Sequence, residues 1–360
     1  MRTRPSDFSV VAIIATYNEA DIIGQVVGDL IEQDVHVYLL DDGSTDGTVA
    51  AVEPYRGRGL LGVEPVARDG GPSAGFEWER ILQRKTQLAR ELDADWFIHH
   101  DADEFRESPW PHLSLSAAIQ AVDALGFNAI DSARLDFWPI DDGFRPGDDV
   151  RRAFTHYSEP APYDRLQIRC WKKTDAVIDL ASSGGHDVRF PGRRVFPIRF
   201  VLRHYPIRGQ AHGERKVFKE RRARFLARER ARGWHVQYDA VREGASFIHD
   251  PATLTPYDAD AVRLTLMLRH RGVQELEEAL DARLAEAERL RADLDKRMAE
   301  VAEAHRELRH ALDARDAAIA LLQAVAEDGA RRLDAVYRSL SWRVTAPARA
   351  VGRLLRRPRA

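Results

Sequence analysis

The stretch Asp95-Trp96-Phe97-Ile98-His99-His100-Asp101-Ala102-Asp103-Glu104-Phe105 reads as a short apolar strand that ends in three acids. Trp96, Phe97 and Ile98 suit a buried strand. Asp101, Asp103 and Glu104 arrive where that strand runs out. In an open α/β sheet, ligands sit at the carboxyl ends of strands. Two carboxylates at i and i+2 on extended chain, with a turn after the first, reach one hard cation, or a cation and a ribose. Oxygen ligands of this kind suit Mg²⁺ or Mn²⁺ rather than zinc. A solvated acidic loop is the plain alternative, and the flanking sequence weighs against it.

Upstream, Ser9 to Thr16 is a continuous apolar, β-branched run, as in a central parallel strand. Ile22, Ile23, Val26, Val27, Leu30 and Ile31 then recur at helical spacing, and Val35 to Leu40 reads as a second strand. This strand–helix–strand unit predicts a parallel sheet with a right-handed crossover. The second strand runs into Asp41-Asp42-Gly43-Ser44-Thr45-Asp46-Gly47-Thr48. Asp42, Ser44, Asp46, Gly47 and Glu53 fit the spacing of a calcium-binding helix–loop–helix loop. That motif needs a helix before it, and a strand stands there. The better fit is a strand-end acid that bonds a base or ribose, then a Gly-rich turn and a helix capped near Asp46. Leu60 to Val63 reads as a third strand and Asp69 to Ser73 as a loop. Phe76 to Leu92 reads as a helix carrying Arg84 and Lys85, which either approach a diphosphate or are solvated charges.

Composition sets the bounds. The 360 residues suffice for one large α/β domain and an appendage. With 54 Lys and Arg against 57 Asp and Glu, the net charge of −3 implies no bulk attraction to nucleic acid. Cys170 is the single cysteine, so no intrachain disulfide forms and a reducing, cytoplasmic setting is expected. No apolar signal core opens the chain and no run of about 18 apolar residues exists to span a membrane.

Together, Ala12-Ile13-Ile14-Ala15-Thr16-Tyr17-Asn18-Glu19, Leu39-Leu40-Asp41-Asp42-Gly43-Ser44-Thr45-Asp46-Gly47-Thr48, and the Asp101-x-Asp103 pair resemble the family 2 glycosyltransferases, which have the A-type fold. All three pieces occur in the family's order and spacing. The resemblance covers about residues 9–250 and is strongest over 9–105. It implies an α/β, Rossmann-like fold with a mostly parallel central sheet flanked by helices, and a nucleotide-sugar donor. Ala15, Thr16, Tyr17 and Glu19 would flank the nucleoside and Asp42 would contact the base. Asp101 would lie near the ribose and metal, and Asp103 would hold the metal. Glu104 extends the usual pair; it either steadies a ligand from behind or touches the sugar. Negative charge grows on the departing diphosphate, and a divalent cation, Mn²⁺ or Mg²⁺, stabilises it as a Lewis acid. The acceptor hydroxyl needs a carboxylate or imidazole base within hydrogen-bond reach. Family 2 enzymes are mostly inverting, so one base suffices.

Asn128 to Trp138 is expected to return to the sheet, and the loop-rich Pro139 to Pro162, with Trp138 and Tyr163, to face the acceptor. Leu166 to Trp171 and Ala176 to Leu180 read as strands, followed by the turn Ala181-Ser182-Ser183-Gly184-Gly185-His186-Asp187. By analogy with related enzymes, Asp187 is the leading base candidate, with His186 beside it. A turn Asp capping a local amide is the plain alternative. A-type enzymes often take a third metal ligand from a late histidine. His204, at the end of the apolar stretch Arg194 to Tyr205, is that candidate, with His186 as rival. Gln210 to Arg232 reads as a basic helix that lines the diphosphate or presents a solvated face.

Beyond Gly272 the chain becomes rich in Ala, Leu, Glu and Arg. Leu280, Leu284, Ala287, Leu294, Met298, Val301, Leu308, Leu312, Ile319 and Leu322 keep heptad spacing, interrupted by Arg291, His305 and Arg315. A homodimeric coiled coil is expected, or a single helix folded back on the catalytic domain. The last thirty residues interleave arginines (Arg331 to Arg359) with Trp342 and aliphatic residues. That pattern suits contact with anionic lipid on the inner face of the membrane, where a lipid-linked acceptor would sit. The expected domains are residues 1–250 (catalytic), 251–272 (closing helix and linker), 273–330 (coiled coil) and 331–360 (basic amphipathic tail).

The function expected is metal-dependent, inverting sugar transfer from a nucleotide sugar to a saccharide or lipid-linked hydroxyl, with no nucleic-acid partner. A nucleotidyltransferase would carry a Gly-rich basic signature after its first strand, and Tyr17-Asn18-Glu19-Ala20 does not match it. A phosphatase would carry its Asp-x-Asp on the first strand. An inactive scaffold acting through its coiled coil is the alternative of a different class.

Overall fold

The computed structural model describes residues 8–66, 77–161, 165–231, 234, 238–268 and 271–355. The predicted loop at Asp69–Ser73, the helix start at Phe76, Tyr163, Arg232, and Arg356, Arg357 and Arg359 of the tail lie outside the described residues. The chain divides into two compact units, Met1–Glu278 and Ala279–Ala360.

The first unit opens with β1 (Val10–Thr16), whose period-two alternation sends Val10, Ala12 and Ile14 into one apolar cluster and Val11 and Ile13 into another. A strand apolar on both faces must be covered on both, as parallel sheets are. Helix α1 (Ile23–Glu32) covers one face with Ile23, Val26, Val27 and Leu30. Strand β2 (His36–Asp41), α2 (Thr48–Val52) and β3 (Leu60–Pro65) follow. Helix α3 (Trp78–Glu91) covers the other face with Ile81, Leu82 and Leu88, and β4 (Trp96–Asp101) completes a four-stranded parallel core. Parallel pairing joins β1 to β2, β1 to β4 and β2 to β3. Register matters here: Thr16 lies opposite Asp41, and Ala15 lies opposite Asp101. The three strands therefore end at one level.

After Ala102 and Asp103 the chain leaves this sheet as β5 (Glu104–Glu107). Helix α4 (Leu115–Ala124) is capped by Ser114, whose hydroxyl accepts the Ala117 N–H at 3.3 Å. The strand expected over Asn128 to Trp138 is two strands, β6 (Ala129–Ile130) and β7 (Ser132–Phe137). The break is at buried Asp131, whose carboxylate takes the Ser132 and Gln167 N–H groups, each at 2.9 Å, and the Arg199 guanidinium at 2.8 Å. Then come α5 (Val150–Ala153), β8 (His156–Ser158), β9 (Cys170–Lys172) and β10 (Phe200–His204). Only β9 survives of the predicted Leu166–Trp171 strand. Ala176–Leu180 is not a strand: its one ladder contact is an isolated bridge from Asp179 to Arg189.

Strand order is β3-β2-β1-β4-β9-β6 in the first sheet, where β9 joins antiparallel to β4 and β6. A second sheet, not foreseen, runs β11-β8-β7-β10-β5, with β7 and β10 parallel and the rest antiparallel. The predicted helix Gln210–Arg232 is instead broken. It comprises α6 (Gln210–Glu214), a π-helical turn (Arg215–Arg221), a 3₁₀ turn (Arg222–Arg224) and α7 (Ala227–Arg230). Strand β11 (Thr255–Pro256) and α8 (Ala259–Leu268) close the unit, with Leu266 entering the main core.

The second unit is helical: α9 (Arg271–Arg338), α10 (Leu340–Val344) and α11 (Ala346–Leu355). At 68 residues, α9 is about 100 Å long. Leu280, Leu284, Leu294, Met298, Val301, Leu308, Leu312, Ile319 and Leu322, the apolar seam, are all exposed on the single chain. Ser339 caps α10 through the Trp342 N–H, and Trp342 lies between Tyr337 and Arg349. Among the described residues, no helix is long and apolar enough to cross a membrane.

Candidate active site

Because β1, β2 and β4 end level, their last residues open onto one cleft of about 570 Å³. Nine of the twelve predicted site residues line it: Ala15, Thr16, Tyr17, Glu19, Asp42, Asp101, Asp103, His186 and His204. The loops after β1 and β2 are stapled together. Asn18 sits at φ 54°, a left-handed conformation that Asn tolerates. Its N–H donates to the Ser44 hydroxyl at 3.0 Å, and its side-chain carbonyl takes the Thr45 N–H at 2.9 Å. Asp46 accepts the Thr48 and Ala20 N–H groups, while Asp41 closes its turn through Gly43 and Ser44. These bonds commit the loop's oxygens to the backbone, and a strand precedes them, so the calcium-loop pattern is not realised.

Every one of these strand-end acids meets a cation. Asp42 pairs with Arg224, whose guanidinium also stacks 3.7 Å over the Tyr17 ring. Asp101 takes Arg169 at 2.8 Å. Asp103 Oδ2 takes Lys216 Nζ at 2.7 Å, and the same ammonium holds Glu19 at 2.9 Å. Arg208 also reaches Glu19 at 2.5 Å and Asp21 at 2.7 Å. Burial opposes ionisation of Glu19, but Lys216 and Arg208 outweigh it and hold the carboxyl well below its usual range. Burial likewise works against the Lys216 ammonium, and Asp103 and Glu19 reverse the effect, so its pKa is raised.

On the far wall, Asp136 at the end of β7 takes Arg134 at 2.7 Å and His204 Nδ1 at 2.7 Å. Burial would raise the Asp136 pKa, but Arg134 and His204 bring it down to about 2. The ionised Asp136 accepts from His204 Nδ1, which turns the other ring nitrogen, Nε2, toward Asp103, with Oδ1 3.7 Å away. Asp103 Oδ1 and His204 Nε2 are the pair that would hold a divalent cation here, and a mixed carboxylate and imidazole set suits Mn²⁺ better than Mg²⁺. Asp101, tied to Arg169, faces the cleft beside them. Among the described residues, the group with three ligand atoms within 4.8 Å of one another is Glu19, Asp21 and His212, whose two carboxylates already share Arg208.

Three predicted residues stand apart from the cleft. Arg84 is held by Glu64 at 2.7 Å and Glu91 at 2.9 Å, a surface ion-pair cluster on α3. Asp187 is buried between Arg189, at 2.7 Å, and Arg193. Gly184 and Gly185 turn the chain at positive φ just before it. A Cβ at Gly185 would lie 2.8 Å from His99 Nε2. Buried Glu104 holds Arg169 at 2.9 Å and takes the Asp101 N–H at 3.2 Å. His186 does line the cleft, yet Arg169 and Gln167 both reach its Nδ1, at 3.1 and 3.2 Å. Burial and then Arg169 lower its pKa to about 3. Its lone pair faces donors, so it presents a hydrogen to the cleft rather than a base.

Arg169 and Asp136 were missed, and Lys216 was read only as one residue of a basic helix. For Arg169 a signal existed: it is the one charge in the run Leu166 to Trp171, which marks a buried partner. Lys216 was hidden in a basic run whose plain explanation was a solvated face. Glu159 was passed over within a long loop expected to face the acceptor. Behind the site, Lys85 is wholly buried against His99 Nδ1 at 2.7 Å and the His100 carbonyl at 2.8 Å, and burial lowers its pKa to about 7.

The family model described as Glycosyl transferase family 2 matches residues 11–77. Polyprenol monophosphomannose synthase of Mycolicibacterium smegmatis is 30% identical over 149 residues, which are 38% of this chain and 51% of that protein. The chain thus spans about half the length of this curated relative. Among solved structures, S. aureus TarS 1–349 in complex with UDP aligns at a TM-score of 0.33 and 17% identity, covering 55% of this chain and 61% of that one. Glucosyl-3-phosphoglycerate synthase from Mycobacterium tuberculosis aligns at a TM-score of 0.24 and 18% identity, covering 36% and 44%.

Proposed function

We propose that this chain, in which residues 11–77 are a family 2 glycosyltransferase sequence, transfers a sugar from a nucleoside-diphosphate sugar to an acceptor hydroxyl. The observation that carries this is the convergence of Thr16 and Tyr17, Asp42, and Asp101 with Asp103 at three level strand ends, opposite His204. The nucleoside lies between Tyr17 and Asp42, and the diphosphate lies toward Asp103. Asp103 and His204 would hold a divalent cation, with Asp101 beside them; such a cation would neutralise charge on the leaving diphosphate. Lys216 and Arg221 line the same cleft and Arg224 pairs with Asp42 in it, so all three add positive charge there.

In the displacement, the acceptor oxygen bonds to the anomeric carbon as the bond from that carbon to the diphosphate oxygen breaks. The electron pair leaves with the diphosphate, and the hydroxyl proton passes to a carboxylate. We assign that role to Glu159. It lines the cleft and forms no ion pair among the described residues, whereas Glu19, Asp42, Asp101, Asp103 and Asp136 are each paired with a cation. A single direct displacement inverts the anomeric centre. The rest of the acceptor lies along a groove of about 250 Å³ that shares Arg134 and Glu159 with the cleft and is walled by Leu135, Tyr157, Pro160 and Leu266. An apolar wall of this kind, and the name of the curated relative, support a polyprenol-linked or other lipid-linked acceptor. The seam of α9 supports a homodimer, and the basic, Trp-bearing tail supports contact with an anionic membrane surface.

The test is calorimetry of the full chain against nucleoside diphosphates and nucleotide sugars, with and without Mn²⁺. Binding that needs both Mn²⁺ and Asp103 is expected. No binding by a correctly folded chain would leave the scaffold reading.

A further inference from the structure

Lys216 pairs with one oxygen of the carboxylate whose other oxygen faces His204. Its ammonium is buried, and it bridges Asp103 and Glu19, which lie 84 residues apart in the sequence, at 2.7 and 2.9 Å. It projects from a π-helical turn, a geometry common where a helix is distorted for a site. An ion bridge buried this deeply is poor evidence for stability, because the desolvation of three charged groups offsets much of their attraction. Only Arg208 and the more distant Arg221, at 4.0 Å, share the Glu19 load, and no other ion-pair partner of Asp103 besides Lys216 and His204 is found among the described residues.

We propose that Lys216 is a resident counter-ion that must exchange partners for the donor to bind. While the donor is absent, its ammonium neutralises Asp103 and so competes with a divalent cation for that carboxylate. When a nucleoside diphosphate enters together with the cation, the metal takes Asp103 and the displaced ammonium turns to the diphosphate oxygens. The cation and the nucleotide then bind with positive coupling, since each relieves the charge the other leaves uncompensated, and the coupling is reciprocal. This inference rests on the cation assignment made above for Asp103 and His204.

The experiment measures Mn²⁺ binding to the full chain, by calorimetry and by the spin-resonance signal of free Mn²⁺. It is done with and without a nucleoside diphosphate, in wild type, Lys216→Met and Lys216→Arg. In Lys216→Met, Mn²⁺ alone is expected to bind at least about tenfold more tightly than in wild type, because a positive charge leaves the carboxylate. The enhancement of Mn²⁺ binding by nucleotide is expected to shrink by a similar factor. Lys216→Arg, which keeps the charge, is expected to retain weak Mn²⁺ binding alone. Thermal unfolding of Lys216→Met with and without Mn²⁺ guards against a folding defect: the metal is expected to raise its Tm more than it raises that of wild type. If nucleotide binds all three proteins but Mn²⁺ alone binds Lys216→Met no more tightly than wild type, the exchange is overturned and the glycosyltransferase reading stands. If no nucleoside diphosphate binds wild type under any condition, that reading fails and the exchange fails with it.

Discussion

The two halves of the cleft have opposite chemistry. While Asp136 and Glu159 line it from later segments, four of its acids, Glu19, Asp42, Asp101 and Asp103, come from the first 103 residues, at or just beyond the ends of parallel strands. The cations that meet them, Arg169, Arg208, Lys216, Arg221 and Arg224, all come from residue 169 onward, in loops and one distorted helical segment. The first half places its groups by sheet register, which backbone hydrogen bonds enforce. The second half places its groups by charge attraction to the first. A site made this way is pre-neutralised, so ligands that bring a cation and a diphosphate replace internal partners rather than filling a bare charge cluster.

The sharpest way to break this comparison is at Asp103. Asp103→Asn should lower glycosyl transfer by at least about 100-fold, near 3 kcal/mol in the barrier, and abolish the Mn²⁺ dependence of donor binding. Retained turnover would remove the acid half from the chemistry. Glu159→Gln should lower kcat by about 100-fold or more while donor affinity stays unchanged. A matched fall in donor binding would make Glu159 a binding group instead.

Asp136 tests the ionic link between the halves through pH. Its pKa falls from 3.8 to about 2 on folding, so the stability it contributes is complete above the unfolded value and is lost as pH falls through about 2. Denaturant titrations should find Asp136→Asn less stable by about 2 kcal/mol at pH 7, with the difference vanishing as pH approaches 2. A pH-independent difference would mean that packing, not charge, is what the substitution removes.

Arg224→Ala should weaken nucleotide binding about tenfold, through loss of the cation that stacks on Tyr17 and pairs with Asp42, and leave kcat nearly unchanged. The smallest effect on the site is expected from Leu308→Asp in the α9 seam. Sedimentation should then report monomers, with donor binding intact; unchanged association would place the contact between copies elsewhere.

Asp101 and Asp103 were legible because a strand and the acids that end it are adjacent in sequence. Asp42 was legible for the same reason, one strand over. The choice of base was not. Asp187 and Glu159 are both acids in polar loops, and the ground for proposing Glu159 is that Arg189 and Arg193 enclose Asp187 while Glu159 lines the cleft. Lys216 lay in a run of basic residues that local spacing describes as solvated. Its burial depends on Glu19 and Asp103, both of which lie more than 100 residues away. The continuous helix expected there failed for the same cause, since the π-helical turn places Lys216 against those acids.

By itself, then, the chain's sequence determined the parallel core, the long heptad helix and the strand-end acids, because hydrophobic period and strand termination act over a few residues. Only tertiary structure decided which cations answer those acids, which histidine faces Asp103 and which carboxylate stays unpaired. Those outcomes depend on distances between segments far apart in the chain, and both the energy of a buried charge and its chemistry are set by whatever the fold brings beside it.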